Sequence, residues 1–234
     1  MNSPSRQNIS QLFDKIATKY DLNNRILSFG IDGFWRRRML KALPDRRGLR
    51  VLDVATGTGD VALKLINNQH IDSVVGLDIS EGMLKVAKEK IEAKNRQHDV
   101  TLVHGSVLEM PFLDESFDAV TISFGIRNVT DVEKSLKEMR RVLRAHGRVL
   151  ILEFSLPPAK LVRKLHFFYL QKIVPIIGKL ISGEKAPYEY LNQSIETFPY
   201  GIEFGKMVKD AGFDAVEIRP MTLGIATLYI ARKF

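Results

Sequence analysis

A glycine-rich turn between an apolar run and a helical pattern carries the clearest chemical signal in this sequence. Residues 51–60 read Val-Leu-Asp-Val-Ala-Thr-Gly-Thr-Gly-Asp. Gly57 and Gly59 can adopt backbone angles that are closed to other residues, and the helix that follows presents unpaired N–H groups to a ligand. The pattern therefore predicts a nucleotide-binding turn.

An acidic residue at the end of the strand indicates which nucleotide the turn binds. The spacing of Gly57, Gly59 and Ala62, with Asp78 downstream for ribose hydroxyls, also satisfies a relaxed dinucleotide fingerprint. Asp53, however, would repel a pyrophosphate, whereas it would attract the ammonium and sulfonium of S-adenosylmethionine. An alternative is that Asp53 only caps N–H groups of the turn. The charge favours S-adenosylmethionine over a dinucleotide.

Short apolar runs alternate with helical patterns around this turn. We expect strands over 51–54, 73–78, 100–104, 119–123 and 148–154, and helices over 60–66, 81–93 and 131–143. This order implies a parallel sheet with crossover helices. A helix over 203–211 and two closely linked strands, 215–219 and 225–231, predict a closing antiparallel hairpin. The expected fold is α/β and Rossmann-like: a mostly parallel seven-stranded sheet, helices on both faces and an antiparallel last strand.

Two further segments flank the expected core of residues 49–154 and its C-terminal completion, 201–234. The leader segment (1–48) has apolar residues at helical spacing from Ile9 to Tyr20 and a second helical stretch over 34–42, and we expect it to cover the site. The lid segment (155–200) is unusually apolar, and Pro175 is expected to break any long helix in it. We interpret it as a substrate lid; the alternative is helices that pack on the core or on a second subunit.

Composition limits the compartment and the partners. The chain has 234 residues, no cysteine and a net charge of +8, so it has neither disulfides nor a thiolate metal site, and no metal ligand set is predicted. Residues 1–11 lack the apolar core of a signal peptide, and no apolar run is long enough to span a bilayer. We expect a cytoplasmic protein. Basic residues among large apolar ones over 160–185 favour peripheral contact with an anionic membrane over nucleic acid.

Several motifs together resemble the UbiE/Coq5 group of class I S-adenosylmethionine methyltransferases, which methylate a ring carbon in ubiquinone and menaquinone biosynthesis. The most specific are the leader motif and residues 124–129, Phe-Gly-Ile-Arg-Asn-Val. The resemblance covers nearly the whole chain, through residues 13–17, 20–21, 35–36, 53–60, 78–80, 124–129, 153–155, 194–195 and 198–199.

The resemblance implies a set of cofactor contacts. Thr58 and its neighbours in the glycine turn would hold the methionine part of S-adenosylmethionine, and Asp78 would accept both ribose hydroxyls. Ser106 and Val107 match positions beside the adenine, and Ser123 also matches a binding position. Relatives often carry Asn or Asp where this chain has Ser106, so the adenine contact there would come from the backbone or be weaker.

The resemblance also implies a polyprenyl quinol as substrate and a catalytic group of Arg127, Asn128 and Tyr20. A quinol ring carbon becomes nucleophilic when its neighbouring oxygen loses a proton. Arg127, a poor base because it stays protonated, would stabilise the phenolate or act through a water, and Asn128 would hold a ring oxygen or a water. Arg127 could instead only pin its loop through carbonyl contacts. His166 is a further candidate base, although a lone histidine among aromatic residues is more often a packing residue.

Four rival functions stay open at this stage. A methyltransferase of a sterol or an amine would share the glycine turn but not the 124–129 motif and the leader. A nucleic-acid methyltransferase is disfavoured because no Asn/Asp-Pro-Pro-Tyr run follows the fourth strand. A noncatalytic scaffold and a dehydrogenase are disfavoured by the acidic and glycine residues of the turn. Benzoquinol and naphthoquinol acceptors are not distinguished, and neither is a monomer from a homodimer.

Overall fold

The computed structural model describes residues 14, 17, 20–182 and 186–234. The first amphipathic helix expected in the leader falls mostly outside the described residues. The described part of the leader forms α1 (Tyr20–Leu27) and α2 (Ile31–Leu40). Gly30 joins them with a φ of 73°, a conformation that favours glycine. The expected helix over 34–42 is therefore present as α2, shifted about one turn toward the N-terminus.

A seven-stranded sheet forms the centre of the molecule, in the order β3-β2-β1-β4-β5-β7-β6. Neighbours from β3 to β5 pair in parallel, whereas β7 is antiparallel to both β5 and β6. The predicted α/β class and antiparallel last strand are confirmed. The strands are β1 (Leu49–Val54), β2 (Ile71–Asp78), β3 (Val100–His104), β4 (Phe117–Ser123), β5 (Leu143–Phe154), β6 (Ala215–Met221) and β7 (Ala226–Arg232).

Helices cover both faces of the sheet, and their ends follow local sequence signals. Ser80 caps the N-terminus of α4 by accepting the N–H of Met83 (3.1 Å), and Asp131 caps α5 through Lys134 (2.9 Å). Apolar side chains of α5 and α9 pack on one face, and those of α2 and α3 on the other. The bounds are α3 (Asp60–Ile66), α4 (Glu81–Glu92), α5 (Val132–Val142) and α9 (Ile202–Asp210).

The lid segment is helical and has a small apolar cluster of its own. It contains α6 (Lys160–Phe168), a π-helical turn (Tyr169–Ile173), α7 (Val174–Ser182) and α8 (Ala186–Thr197). The expected break at Pro175 was wrong, because helical structure runs on from α6 into α7. The wider π turn lies immediately before Pro175, where a proline ring would otherwise clash with the preceding turn.

Strand β5 begins earlier than its sequence pattern predicts. Pairing with β4 starts at Leu143, is interrupted, and resumes at Arg148. His146 lies in this irregular stretch with a φ of 62°. A bulge breaks the period-2 alternation of apolar residues, so the sequence pattern does not reveal where the strand starts. Among the described residues, no helix is both long and apolar enough to cross a bilayer.

Candidate active site

Two adjoining cavities lie at the carboxyl ends of the parallel strands. The first, about 170 Å³, is enclosed by the ends of β1, β2 and β4 and the loops that follow them. The second, about 280 Å³, lies between the leader helices and the lid helices. Tyr20 and Phe124 line both cavities. The strand order reverses at β1, whose neighbours are β2 on one side and β4 on the other. In open α/β sheets, ligands bind at such a reversal.

Asp53 lies behind the wall of the first cavity rather than on its lining. It is 1% exposed, and its two carboxylate oxygens accept hydrogen bonds from Thr56 (2.7 Å) and Thr121 (2.6 Å). Burial raises the pKa of Asp53 to about 6, although both hydroxyls and the positive charge of Arg36 oppose this shift. The partners are hydroxyls, not the N–H groups of a capping role, and its cofactor contact stays a prediction.

Asp78 and Gly57 form the polar rim of the first cavity. The carboxylate of Asp78 accepts the N–H of Gly57 (2.7 Å) on one oxygen and the N–H of Ser80 (2.9 Å) on the other. Burial raises the pKa of Asp78, and these backbone donors oppose the rise. Each oxygen keeps a lone pair for a further donor. A vicinal diol can donate one hydroxyl to each oxygen of such a carboxylate at the same time.

Thr58 and Gly59 take part in packing around the turn and do not line the first cavity. The hydroxyl of Thr58 donates to Asp21 of α1 (2.5 Å). Gly59 has a φ of 78°, and a Cβ there would lie 3.2 Å from the Cβ of Ala87 in α4. Gly59 therefore permits the close approach of α3 and α4, whereas Gly57 faces the cavity.

The three remaining cofactor candidates, Ser106, Val107 and Ser123, all line the first cavity. Ser106 accepts the N–H of Leu108 (3.2 Å), which closes a tight turn after β3. The Oγ of Ser123 is buried and has no hydrogen-bond partner among the residues that the structure describes. This unpaired hydroxyl is available to a group bound in the cavity.

Strained backbone marks the junction of the two strand ends. Ala55 follows β1 with a φ of 50°, and Phe124 follows β4 with a φ of 59°. Residues other than glycine rarely adopt this conformation, and they cluster at functional sites when they do. A Cβ on Gly125 would lie 2.7 Å from the Cβ of Ala55, so the two loops touch.

Arg127 is held in a buried ion pair in the wall of the second cavity. Its Nη1 donates to Glu153 (2.8 Å) and to the carbonyl of Phe124 (2.5 Å), and its Nε donates to Ser194 of α8 (3.3 Å). The guanidinium also lies 5.3 Å from the ring centroid of Phe154. These contacts connect the strand-end loop to the lid. They match the alternative in which Arg127 fixes its loop.

Asn128 and Tyr20, the other two catalytic candidates, both line the first cavity. The Oδ1 of Asn128 accepts a hydrogen bond from Tyr190 of α8 (3.2 Å), which leaves its amide N–H groups for another partner. Tyr20 begins α1 and belongs to both cavities. All three candidates are therefore brought to the same region.

Sequence reasoning did not find the polar contacts that fasten the leader to α4 and the glycine turn. Asp14 accepts hydrogen bonds from Ser80 (2.5 Å) and from the N–H of Gly82 (3.0 Å). Asp21 accepts from Lys90 of α4 (2.6 Å) as well as from Thr58. These partners are distant in sequence, and no local pattern predicts them.

Solved structures with a similar fold are known. The fold is similar to an S-adenosylmethionine-dependent methyltransferase from Methanococcus maripaludis, described as putative, with a TM-score of 0.70 and 18% identity over 100% of this chain and 96% of that one. It is also similar to a phosphoethanolamine N-methyltransferase 2 from Haemonchus contortus (TM-score 0.64, 20% identity, 85% and 52% covered). The fold is that of the class I S-adenosylmethionine-dependent methyltransferases.

The chain belongs to the ubiE/COQ5 methyltransferase family, whose profile matches residues 1–233. It is 44% identical over 228 residues to the ubiquinone/menaquinone biosynthesis C-methyltransferase UbiE of Geotalea uraniireducens, covering 97% of each chain. It is 40% identical over 233 residues to the demethylmenaquinone methyltransferase of Staphylococcus aureus, covering 99% of this chain and 95% of that one. The resemblance inferred from the motifs is confirmed.

Proposed function

We propose that this protein transfers a methyl group from S-adenosylmethionine to a ring carbon of a polyprenyl quinol. The observation that carries the proposal is the pair of cavities that share Tyr20 and Phe124. One has a polar rim suited to a nucleoside, and the other is a largely apolar space between leader and lid. Relatives along the whole chain act, by name, in ubiquinone and menaquinone biosynthesis or on demethylmenaquinone.

The first cavity fits S-adenosylmethionine, which supplies a methyl group on a positively charged sulfonium. Asp78 would accept the two ribose hydroxyls, because each of its oxygens keeps a free lone pair. Gly57 leaves room at the rim, Ser106 and Val107 would lie against the adenine, and the unpaired hydroxyl of Ser123 gains a partner. Asp53 and Thr58 would act from behind the lining, by shaping the turn.

The second cavity would hold the quinol ring so that its reactive carbon meets the methyl group at the shared wall. Tyr20 and Asn128 offer polar groups near that wall, where a ring oxygen or a water needs orienting. Arg127 would act mainly by positioning, because Glu153 and a carbonyl already occupy its Nη1. Its positive charge still lies beside the cavity, where it favours a developing phenolate.

A direct assay tests this proposal. Purified protein is incubated with labelled S-adenosylmethionine and, separately, with chemically reduced demethylmenaquinol and 2-polyprenyl-6-methoxy-1,4-benzoquinol. Mass spectrometry should find one added methyl on a ring carbon of at least one of them, and the two acceptors distinguish the naphthoquinol from the benzoquinol activity. Calorimetric binding of S-adenosylmethionine without methylation of either quinol would overturn the proposed substrate and leave the cofactor assignment in place.

The lipophilic substrate would be taken up from a membrane surface on which the protein rests. Phe29 of the leader and Leu165 of the lid line the second cavity, yet they are 75% and 61% exposed. Leu161 and Phe168 are exposed on the same helix as Leu165, where basic residues accompany them: Lys160, Arg163 and Lys164. Exposed apolar and cationic side chains around an apolar opening suit an anionic bilayer. A second subunit is the alternative occupant of this surface, and sedimentation would detect it.

A further inference from the structure

Two buried polar atoms of residues that line the second cavity have no hydrogen-bond partner among the described residues. They are Nε of Arg36, in α2, and Nε2 of His166, in α6. The two residues are only 7% and 9% exposed. A buried polar group without a partner is costly, so such groups are rare unless a ligand or water completes them.

The guanidinium of Arg36 is fixed at one end and unpaired at the other. Its Nη1 donates to Asp60 (3.1 Å), and Asp32 lies 3.7 Å away. Its Cζ lies 6.0 Å from the ring centroid of Phe124, which belongs to both cavities. The unpaired donor Nε belongs to a guanidinium that is therefore held near the wall shared by the two cavities.

His166 has a neutral imidazole in an apolar wall. Burial lowers its pKa, and no charged group contributes to the shift. The charged residues that line the same cavity are Asp32, Arg36 and Arg127, each engaged in a hydrogen bond or ion pair described above. A neutral imidazole has one nitrogen that accepts and one that donates, so an unpaired Nε2 can accept a hydroxyl proton in a hydrogen bond.

We infer that Arg36 and His166 bind the two oxygens of a para-dihydroxy ring, and that His166 makes the cavity selective for the reduced form. This inference rests on the proposed function for the identity of the ring. Arg36 donates from Nε to one oxygen, whether hydroxyl or carbonyl. With its proton on Nδ1, His166 accepts at Nε2 from the other oxygen, which only a hydroxyl allows, since a carbonyl would oppose its lone pair to that of Nε2. Both atoms are buried in the structure, so each side chain has to turn toward the lumen to reach the ring.

The selectivity has a chemical purpose. Only the reduced ring carries enough electron density on its carbon to attack a sulfonium methyl group. An oxidised ring of the same shape would occupy the apolar cavity without reacting. A hydrogen-bond acceptor that faces the ring oxygen therefore distinguishes the reduced ring from the oxidised ring, which shape alone does not.

Binding of small probes tests the inference without methyl transfer. 1-Naphthol and 1-methoxynaphthalene are similar in shape, but only the first can donate a hydrogen bond. We expect the wild type to bind 1-naphthol about tenfold more tightly, the ratio that one hydrogen bond provides. His166→Leu should abolish this ratio, and His166→Gln, which keeps an acceptor, should retain part of it. Arg36→Lys should weaken 1-methoxynaphthalene, whose oxygen can only accept from Arg36, more than 1-naphthol, whose hydroxyl can bind His166 instead.

Controls keep the outcomes distinct. Each variant must bind S-adenosylmethionine as the wild type does, which shows that the fold is intact. An unchanged naphthol ratio in His166→Leu, or tighter binding of 1,4-naphthoquinone than of 1-naphthol by the wild type, would overturn the inference. If the ratio behaves as expected but no quinol is methylated, the oxygen-binding pair stands and the proposed function fails.

Discussion

Asp53 and Asp78, two buried carboxylates next to the first cavity, have different surroundings. Asp78 faces the lining and keeps free lone pairs, whereas Asp53 is enclosed by threonine hydroxyls of the turn after its strand and of the neighbouring strand. The sequence predicts both carboxylates at strand ends. It does not reveal that Thr121 lies opposite Asp53, because that contact depends on the register of β1 and β4.

Asp53→Asn should change how stability depends on pH. The pKa of Asp53 is raised from 3.8 to about 6 in the folded protein, so the unfolded chain loses this proton first. Between these values the folded state binds more protons, and the free energy of unfolding falls as pH rises, by about 3 kcal/mol in total. Urea unfolding at pH 4 to 7 should show this fall in the wild type relative to Asp53→Asn. Parallel curves would contradict the prediction.

Arg127→Met should destabilise the fold strongly, because it leaves the carboxylate of Glu153 buried without its cation. Glu153 is 1% exposed, and breaking one side of such a pair costs about 3–5 kcal/mol. Denaturant unfolding measures the loss, and the double variant Arg127→Met with Glu153→Leu should recover part of it. Arg219→Met is the matched control, since its partner Glu217 is exposed at the surface and its loss should cost less than about 1 kcal/mol.

At the scale of elements, the glycine turn, the parallel strands and the closing hairpin were all predictable. Helix caps such as Ser80 and Asp131 are local signals, and periodic apolar runs mark buried strands. The path of the lid was not predictable in the same way. Whether Pro175 ends a helix or follows a π turn depends on packing against α8 and the leader, which no local pattern contains.

Lys90 of α4 connects the leader to the cofactor-binding turn, and Lys90→Met should loosen that connection. Lys90 contacts Asp21 (2.6 Å), Asp60 (2.5 Å) and Thr58 (3.4 Å), and without it the two carboxylates repel each other. Because Tyr20, next to Asp21, lines the cofactor cavity, we expect S-adenosylmethionine to bind roughly fivefold more weakly by calorimetry, which corresponds to about 1 kcal/mol.

The control lies on the same helix. Lys88 is exposed and, among the residues that the structure describes, pairs only with Glu92 four positions further on (3.9 Å), so Lys88→Met should bind S-adenosylmethionine as the wild type does. Equal affinities for the two variants would show that the leader does not contribute to cofactor binding through Lys90.

At the scale of the whole molecule, the exposed face of α6 should determine membrane binding. Leu161→Asp places a carboxylate among the apolar and basic side chains of that face, where Leu161 is 70% exposed. We expect binding to vesicles that contain phosphatidylglycerol to weaken by about tenfold at low salt, measured by co-sedimentation. Leu113→Asp, at a more exposed site (83%) outside the lid segment, should bind like the wild type. Absence of vesicle binding by the wild type would contradict the membrane proposal.

The sequence determines least how its segments are arranged around the two cavities. The motifs around Tyr20, Asp78 and Arg127 each predict a function, but not which cavity each residue enters. Arg127 illustrates the limit: its type suggests a free cation, while its partner Glu153 comes from the neighbouring strand β5. Arg36 shows the opposite case, because no motif distinguished its unpaired Nε from an ordinary surface arginine.

The position of the leader beside the first cavity has a consequence for the turnover rate. Each catalytic cycle must exchange spent cofactor for fresh cofactor, and the contacts of Asp14 and Asp21 fasten the leader beside the first cavity, where this exchange would pass. They would have to open once per cycle. Tight closure would then slow the release of spent cofactor while it improves cofactor affinity. Solvent viscosity would affect kcat more than the electronic properties of the quinol ring would.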